Sequence, residues 1–307
     1  MAIELASVAE LSSQLSKIVD VESLVDHALG ALSKQWGLQH SLLLVVEDGT
    51  ESLVTLASHG YERQGVGAEV RLGSGIIGVA GARRAAIGIS NLGAALRYGR
   101  ATKAELERSG QVQGLSREIP LPGLPTAMSQ LAVPLVVADK LLGVLCVESE
   151  TIAAFNEETE SLLTLVGQSI APRLRDDGYG AVSGEIRGAS LAVVSSSGPP
   201  LDVRYYPEDD SVFVDQIYVI KGLAGRILWK LLLQNRDEGR TEFLNRELRL
   251  DDSLKLPPVK DNLETRLMLL RRRLAERLPS MQIEKGARGC FRLVLKKECH
   301  LTEMPSR

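Results

Sequence analysis

Apolar residues recur at three- and four-residue steps through Val8, Leu11, Leu15 and Ile18, and again through Val25, Leu29, Leu32 and Trp36. That spacing predicts two amphipathic helices at the start of the chain. Asp20, Glu22 and Asp26 suit the beginning of the second helix, where the backbone dipole favours negative charge. The pattern then switches to short runs of period two. His40–Val46 and Glu51–Ser58 flank Glu47-Asp-Gly-Thr50, a hairpin with Asp-Gly at its turn. Ala68–Leu72 alternates as a further strand, and Gln130–Ala138 and Lys140–Glu148 form a second hairpin around Asp139. Ala154–Leu174 closes this half as a helix with Leu163, Val166 and Ile170 on one face. The expected fold class is α+β, an antiparallel sheet sandwiched by helices.

Leu174-Arg-Asp-Asp-Gly-Tyr-Gly-Ala-Val-Ser-Gly184 is a helix running into a glycine-punctuated connector. Beyond it, strands are expected at Ala189–Ser195, Leu201–Tyr206, Val212–Val214 and Ile217–Ile220, with a break at Ser195–Pro200. Leu223, Ile227, Leu231 and Leu232 mark a helix, Glu242–Leu248 a shorter one, and Asp261–Leu278 a long one after Pro257-Pro258. Met281–Glu284 and Cys290–Leu295 then flank the basic turn Lys285-Gly-Ala-Arg-Gly289. The expected division is a first domain at 1–175, a linker at 176–188, a second domain at 189–298 and a tail at 299–307.

Length and composition support that division. The 307 residues, 44% hydrophobic and 24% charged, suffice for two cores. The net charge of −3 conceals an asymmetry, because residues 1–177 carry 14 basic against 21 acidic side chains and residues 178–307 carry 22 against 18. Within Lys260–Lys297 the balance is 11 basic to 4 acidic, which is either a surface for a polyanion or a solvated basic helix. Apolar runs such as Leu141–Val147 are too short to cross a bilayer, and Met1-Ala-Ile-Glu4 has no leader pattern. Cys146, Cys290 and Cys299 are too scattered for a disulfide framework. A cytoplasmic, reduced protein with no membrane partner is expected.

Gly73-Ser-Gly75-Ile-Ile-Gly78 matches the G-x-G-x-x-G dinucleotide pattern, but the strand before it is charged and alternating. Arg97 and Arg100 lie near the place where that chemistry needs an acidic residue. A local role, turning a strand tightly into a helix, accounts for these glycines. Taken with Ser58-His-Gly-Tyr61, Arg71–Ala80, Ile87-Gly-Ile-Ser-Asn91, Leu131-Ala-Val-Pro-Leu135, Leu142–Ser149 and Phe155-Asn-Glu-Glu158, the segment resembles a GAF domain over residues 1–175. The resemblance implies a small-molecule sensor and dimerisation unit. The cyclic-nucleotide signature of that family is not assembled here, and Asn91–Gln111 has no cysteine for a bilin. Methionine sulfoxide reductases of this fold use several pocket cysteines, whereas this half has only Cys146. His27, His40 and His59 are scattered, so neither a metal nor another cofactor is expected, only an unidentified small-molecule ligand. Candidate ligand-binding residues are Ser90, Asn91, Arg97 and Tyr98, with Cys146 either a buried small hydrophobe or a thiol that faces the ligand or acts as a redox switch. The proline-bearing stretch 114–128 is either a lid or a covering loop.

In the second half, Leu270-Arg-Arg-Arg-Leu274 followed by Ile283-Glu-Lys-Gly-Ala-Arg-Gly289 and Phe291-Arg-Leu293 resembles the winged-helix DNA-binding domain of response regulators, over about 189–296. Leu263, Leu267, Leu270 and Leu274 form a stripe that faces the core, which aims Thr265, Met268, Leu269 and Arg272 outward. Arg266, Arg271 and Arg273 flank that face as candidate phosphate contacts, and Lys285 and Arg288 are candidates on the wing. Met268 and Leu269 stand where the family often has basic residues. They suit thymine methyls or, alternatively, a protein surface. No catalytic constellation stands out, so the chain is not expected to be an enzyme. The expected function is a ligand-responsive one-component transcriptional regulator acting as a homodimer on double-stranded DNA. The alternative is a signalling adaptor whose winged helix binds protein.

Overall fold

The computed structural model describes residues 3–47, 49–93, 119–175, 199–256, 263–286 and 289–305. They fall into two compact units, one ending at Arg175 and the other containing the described residues from 199 onward.

In the first unit the helices are α1 (Leu5–Lys17), α2 (Val21–Trp36), α3 (Gly75–Arg83) and α4 (Glu157–Arg175). Helix α2 starts where the Asp20 side chain accepts the Ser23 N–H and stops at Gly37, whose left-handed conformation a side chain would strain. The strands are β1 (His40–Val46), β2 (Ser52–His59), β3 (Glu69–Arg71), β4 (Ile87–Ile89), β5 (Ser129–Val137) and β6 (Lys140–Ser149). They form one sheet in the order β3-β2-β1-β6-β5-β4, antiparallel throughout. Ala138 and Asp139, both at positive φ, close the β5–β6 hairpin at the place its pattern predicts.

Alternation along the strands sends side chains to two different layers. Leu42, Leu44, Val144, Cys146 and Ala132 pack with Ile77 and Ala80 of α3. The residues between them meet the other layer, in which α2 and α4 cover the sheet and α1 lies on both helices. Leu11 and Leu15 of α1 and Leu163, Val166 and Ile170 of α4 are buried in this packing. Leu11, Leu15, Leu163, Val166 and Ile170 are thus used within one chain, while Val8 and Ile18 of α1 stay half-buried.

The Gly73–Gly78 pattern is a strand-to-helix turn. Gly73 and Gly75 have positive φ, Gly73 N–H bonds to the Gly78 carbonyl at 2.8 Å, and a Cβ on Gly78 would come within 2.2 Å of the Arg71 carbonyl oxygen.

The second unit begins with a meander, β7 (Leu201–Tyr206), β8 (Ser211–Val214) and β9 (Ile217–Ile220). Helix α5 (Gly222–Glu238), strand β10 (Glu242–Leu244), helix α6 (Asn245–Arg249), a 3-10 turn (Asp252–Leu254) and helix α7 (Leu263–Arg277) follow. Strands β11 (Met281–Lys285), β12 (Cys290–Leu295) and β13 (Cys299–Glu303) complete it. Two sheets result, β13-β7-β8-β9 and β10-β12-β11.

Two expectations fail here. Glu242–Leu248 is not one helix: its first three residues are β10, in register with β12 so that Phe243 stacks on Phe291 at 5.6 Å. Residues 299–303 are not a tail, because β13 pairs in parallel with β7, Cys299 opposite Leu201 through Glu303 opposite Tyr205. The expected linker and the expected strand at 189–195 lie outside the described residues. A buried knot ties the meander to the helices. Asp210 accepts the Tyr205 hydroxyl and Arg226 Nε, the latter at 3.1 Å, and Arg226 Nη1 reaches the Leu254 carbonyl at 2.7 Å. Burial first, then the Asp210 hydrogen bond, pushes the Tyr205 phenol well above its ordinary range.

Candidate functional site

The layer between α3 and the sheet is the most organised site among the described residues. Register aligns its wall in rows: His40–Glu148–Gln130–Ile89, then Leu42–Cys146–Ala132–Ile87. Cross-strand neighbours share a face, so the second row is an apolar floor and the first is a polar rim. Tyr61, from the β2–β3 loop, packs against the apolar floor and meets the His40 ring edge-on at 5.3 Å.

Glu148 is the hub of the rim although it is buried. Its Oε2 accepts the Tyr61 hydroxyl at 3.1 Å and the Leu124 N–H at 2.8 Å, while Oε1 accepts Gln130 Nε2 at 3.1 Å. A buried carboxylate is tolerable only with such donors around it. Gln130 Nε2 also lies 3.4 Å from the Cys146 sulfur. The rim, the thiol and the apolar floor are thus one continuous buried layer on the α3 face of the sheet.

The expected ligand-binding residues distribute unevenly. Cys146 is fully buried on the α3 side of the sheet, inside the apolar cluster. Ser90 and Asn91 are exposed at the end of β4, and Ser90 contributes its carbonyl, which accepts from the Ser129 hydroxyl at 3.1 Å and the Ala153 N–H at 2.8 Å. Arg97 and Tyr98 lie outside the described residues. The sequence reading missed Glu148, Gln130 and Tyr61. A signal existed, since Glu148 is a charge in phase with the inward Val144 and Cys146 of an apolar strand.

The expected DNA-contacting face of α7 is corrected by its surroundings. Leu263, Leu267, Leu270 and Leu274 are buried as expected, but so are Thr265, Met268 and Leu269 on the face expected to point outward. Arg266 has no exposed surface and Arg273 is 4% exposed. The reason is that α7 packs against β9, β11, α5 and α6, so one apolar stripe does not describe it. Arg273 spends its guanidinium inside the unit, donating from Nε to the Val219 carbonyl at 2.8 Å and from Nη2 to that of Tyr218 at 3.3 Å. Burial lowers its pKa from the ordinary arginine value. Arg271 and Arg272 are half-exposed and Lys285 is exposed at the end of β11, while Arg288 lies outside the described residues.

The model of one family, the GAF domain, matches residues 19–174. The chain is a GAF domain protein. Among solved structures, the GAF domain of the Acinetobacter phosphoenolpyruvate-protein phosphotransferase is 20% identical, covering 55% of this chain and 90% of its own, with a TM-score of 0.43. The free methionine-R-sulfoxide reductase from Neisseria meningitidis, in complex with its substrate, is 17% identical over 56% of this chain and 92% of its own, with a TM-score of 0.43. The A. aeolicus nlh2 GAF domain in an inactive state is 18% identical over 55% and 93%, with a TM-score of 0.40. No curated protein matches the chain. Among the described residues, no helix of this GAF protein is long and apolar enough to cross a membrane.

Proposed function

We propose that this GAF protein is a ligand-responsive, one-component transcriptional regulator of the cytoplasm, whose GAF unit takes a small-molecule effector and whose C-terminal unit binds double-stranded DNA as a winged helix. One observation carries the reading. Helices α6 and α7 are followed directly by the β11–β12 hairpin, β10 completes its sheet, and this same stretch concentrates 11 basic residues against 4 acidic ones over Lys260–Lys297. Helix, turn, helix and hairpin in that order, with such a charge, suit a duplex. The contacts assigned are Arg271 and Arg272 on the half-exposed side of α7, with Lys285 and Arg288 at the hairpin. Thr265, Arg266, Met268, Leu269 and Arg273 are left out, because a buried side chain reaches neither a base edge nor a phosphate. The GAF unit is assigned binding rather than thiol catalysis, since the one cysteine in residues 1–175 is buried in its core.

The test is fluorescence anisotropy against a library of genomic duplexes at two salt concentrations. Selective binding that weakens with salt is expected, and Arg271→Ala with Arg272→Ala should reduce the slope of log affinity against log salt by about 2. Binding that is absent on every duplex, with native circular dichroism, overturns the proposal and leaves the protein-binding adaptor as the reading.

A further inference from the structure

The segment Ile119–Met128 joins the rim of the GAF wall by contacts that have one centre. It carries Pro120, Pro122 and Pro125, which stiffen it and remove N–H groups that a strand would need to pair. Two glycines of the β2–β3 loop form its seat. Gly65, at φ +57°, would place a Cβ 2.4 Å from Pro122 Cδ, and Gly67, at φ +88°, would place one 2.8 Å from Ile119 Cδ1. Gly65 has no room for a side chain while the segment is down, and at Gly67 the positive φ disfavours one whatever the space. Its middle is held by the Leu124 N–H on Glu148 Oε2 at 2.8 Å, and its far end by the Thr126 hydroxyl on Glu150 and the Met128 N–H on the Ser149 carbonyl at 2.8 Å. The same Glu148 oxygen holds Tyr61 at 3.1 Å, so one carboxylate fastens both the segment and the loop it rests on.

We propose that Ile119–Met128 is a strap that opens as a unit, separately from the sheet, with Glu148 as its catch. A strap of this kind contrasts with its foundation. Among the described residues its contacts run through the Glu148 and Glu150 side chains, the Ser149 carbonyl, the Leu92 N–H and the two glycine seats, whereas β5 and β6 beneath it are paired strand to strand. Segments with few paired amides open at a lower cost than the global fold. Release of Glu148 also frees Gln130, which bridges that carboxylate to the Cys146 sulfur, and so opens a path to a thiol that is otherwise fully buried. Cys146 is therefore a built-in reporter of the strap. The device stands whether or not the C-terminal unit binds DNA.

Hydrogen exchange on the full chain, read by mass spectrometry, tests the separate opening. Amides of residues 121–128 are expected to exchange at least about a hundredfold faster than those of 131–147. Exchange of both at one common rate overturns the strap. Maleimide labelling of Cys146, read in its own peptide so that Cys290 and Cys299 do not interfere, tests the catch. Glu148→Ala is expected to raise the labelling rate about tenfold to a hundredfold, since it removes a charge-assisted hydrogen bond. Leu124→Pro, which deletes the donor from the strap side, should do the same and decides the question if Glu148→Ala fails to fold. Unchanged labelling of Cys146 in a folded variant of either kind overturns the role of Glu148, and unfolding of both leaves the wild-type exchange comparison as the deciding measurement.

Discussion

Two side chains in the second unit show how local chemistry sets a residue's role. Arg273 lies in a run of three arginines on a basic helix, and by spacing alone it is a phosphate contact. Its guanidinium instead satisfies two carbonyls of β9 that would otherwise go without that donor. Arg273→Met keeps the stem's packing and removes those donors, so it should destabilise the protein by about 1–3 kcal/mol in urea unfolding. Equal stability with weaker DNA binding would return Arg273 to the surface. Cys299 is the second case. Burial first, then the charge of Asp215, pushes its thiol up to about 11 from an ordinary value of 9.0. The folded state therefore holds the proton more tightly than the unfolded chain does. Its contribution to stability is complete below about 9 and is lost as the pH rises towards 11. The rate of iodoacetamide alkylation at Cys299 should reach half its maximum near pH 11. A midpoint at the ordinary thiol value would mean the site is open to water.

At the scale of elements, what the sequence made legible is what packing on one side dictates. Helices α1, α2 and α4 and the strands of both GAF hairpins follow from helical stripes, short apolar runs and turn chemistry, and α3 follows from the glycine turn before it. Strand β10 did not, since three residues are too few to display a period and only the Phe243–Phe291 register defines it. Strand β13 did not either: Cys299-His-Leu-Thr-Glu303 has no strong alternation, and its partner β7 lies almost 100 residues upstream. The outward face of α7 was misread for the converse reason, as a helix hemmed by four elements buries more than its leucine stripe. Glu148 was passed over because a charge inside an apolar strand is interpretable only once its donors are in place. The role of β13 is testable. Ending the chain after Glu298 exposes the β7 edge and removes bonds such as that from the Met304 N–H to the Tyr205 carbonyl at 2.8 Å. With several such bonds worth about 1 kcal/mol each, the truncated protein should lose at least about 2 kcal/mol of stability, visible as a lower urea midpoint. An unchanged midpoint would make β13 ornamental to the fold.

At the scale of the whole molecule, an acidic GAF half and a half with a concentrated basic stretch share one chain, and regulation requires that the state of the first bias the second. A perturbation transmits only if it favours one of two states that differ in affinity for DNA. Strap opening is a perturbation that can be imposed without any need to know the effector. If the C-terminal unit binds DNA as proposed and strap opening is the event it responds to, Glu148→Ala should change operator affinity relative to wild type by about 5- to 150-fold, the usual range of coupling between sites. The connector after Arg175 is the covalent route between the halves. A flexible Gly/Ser insertion after Asp177 should therefore leave the DNA affinity of the wild-type background measurable and erase its difference from Glu148→Ala. Anisotropy titrations of the four proteins, with and without the substitution and with and without the insertion, form a double-mutant cycle whose interaction energy is the coupling itself. A difference that survives the insertion assigns transmission to a route other than the connector. No difference between wild type and Glu148→Ala, in proteins whose Cys146 labelling shows the strap has opened, separates the strap from DNA binding altogether.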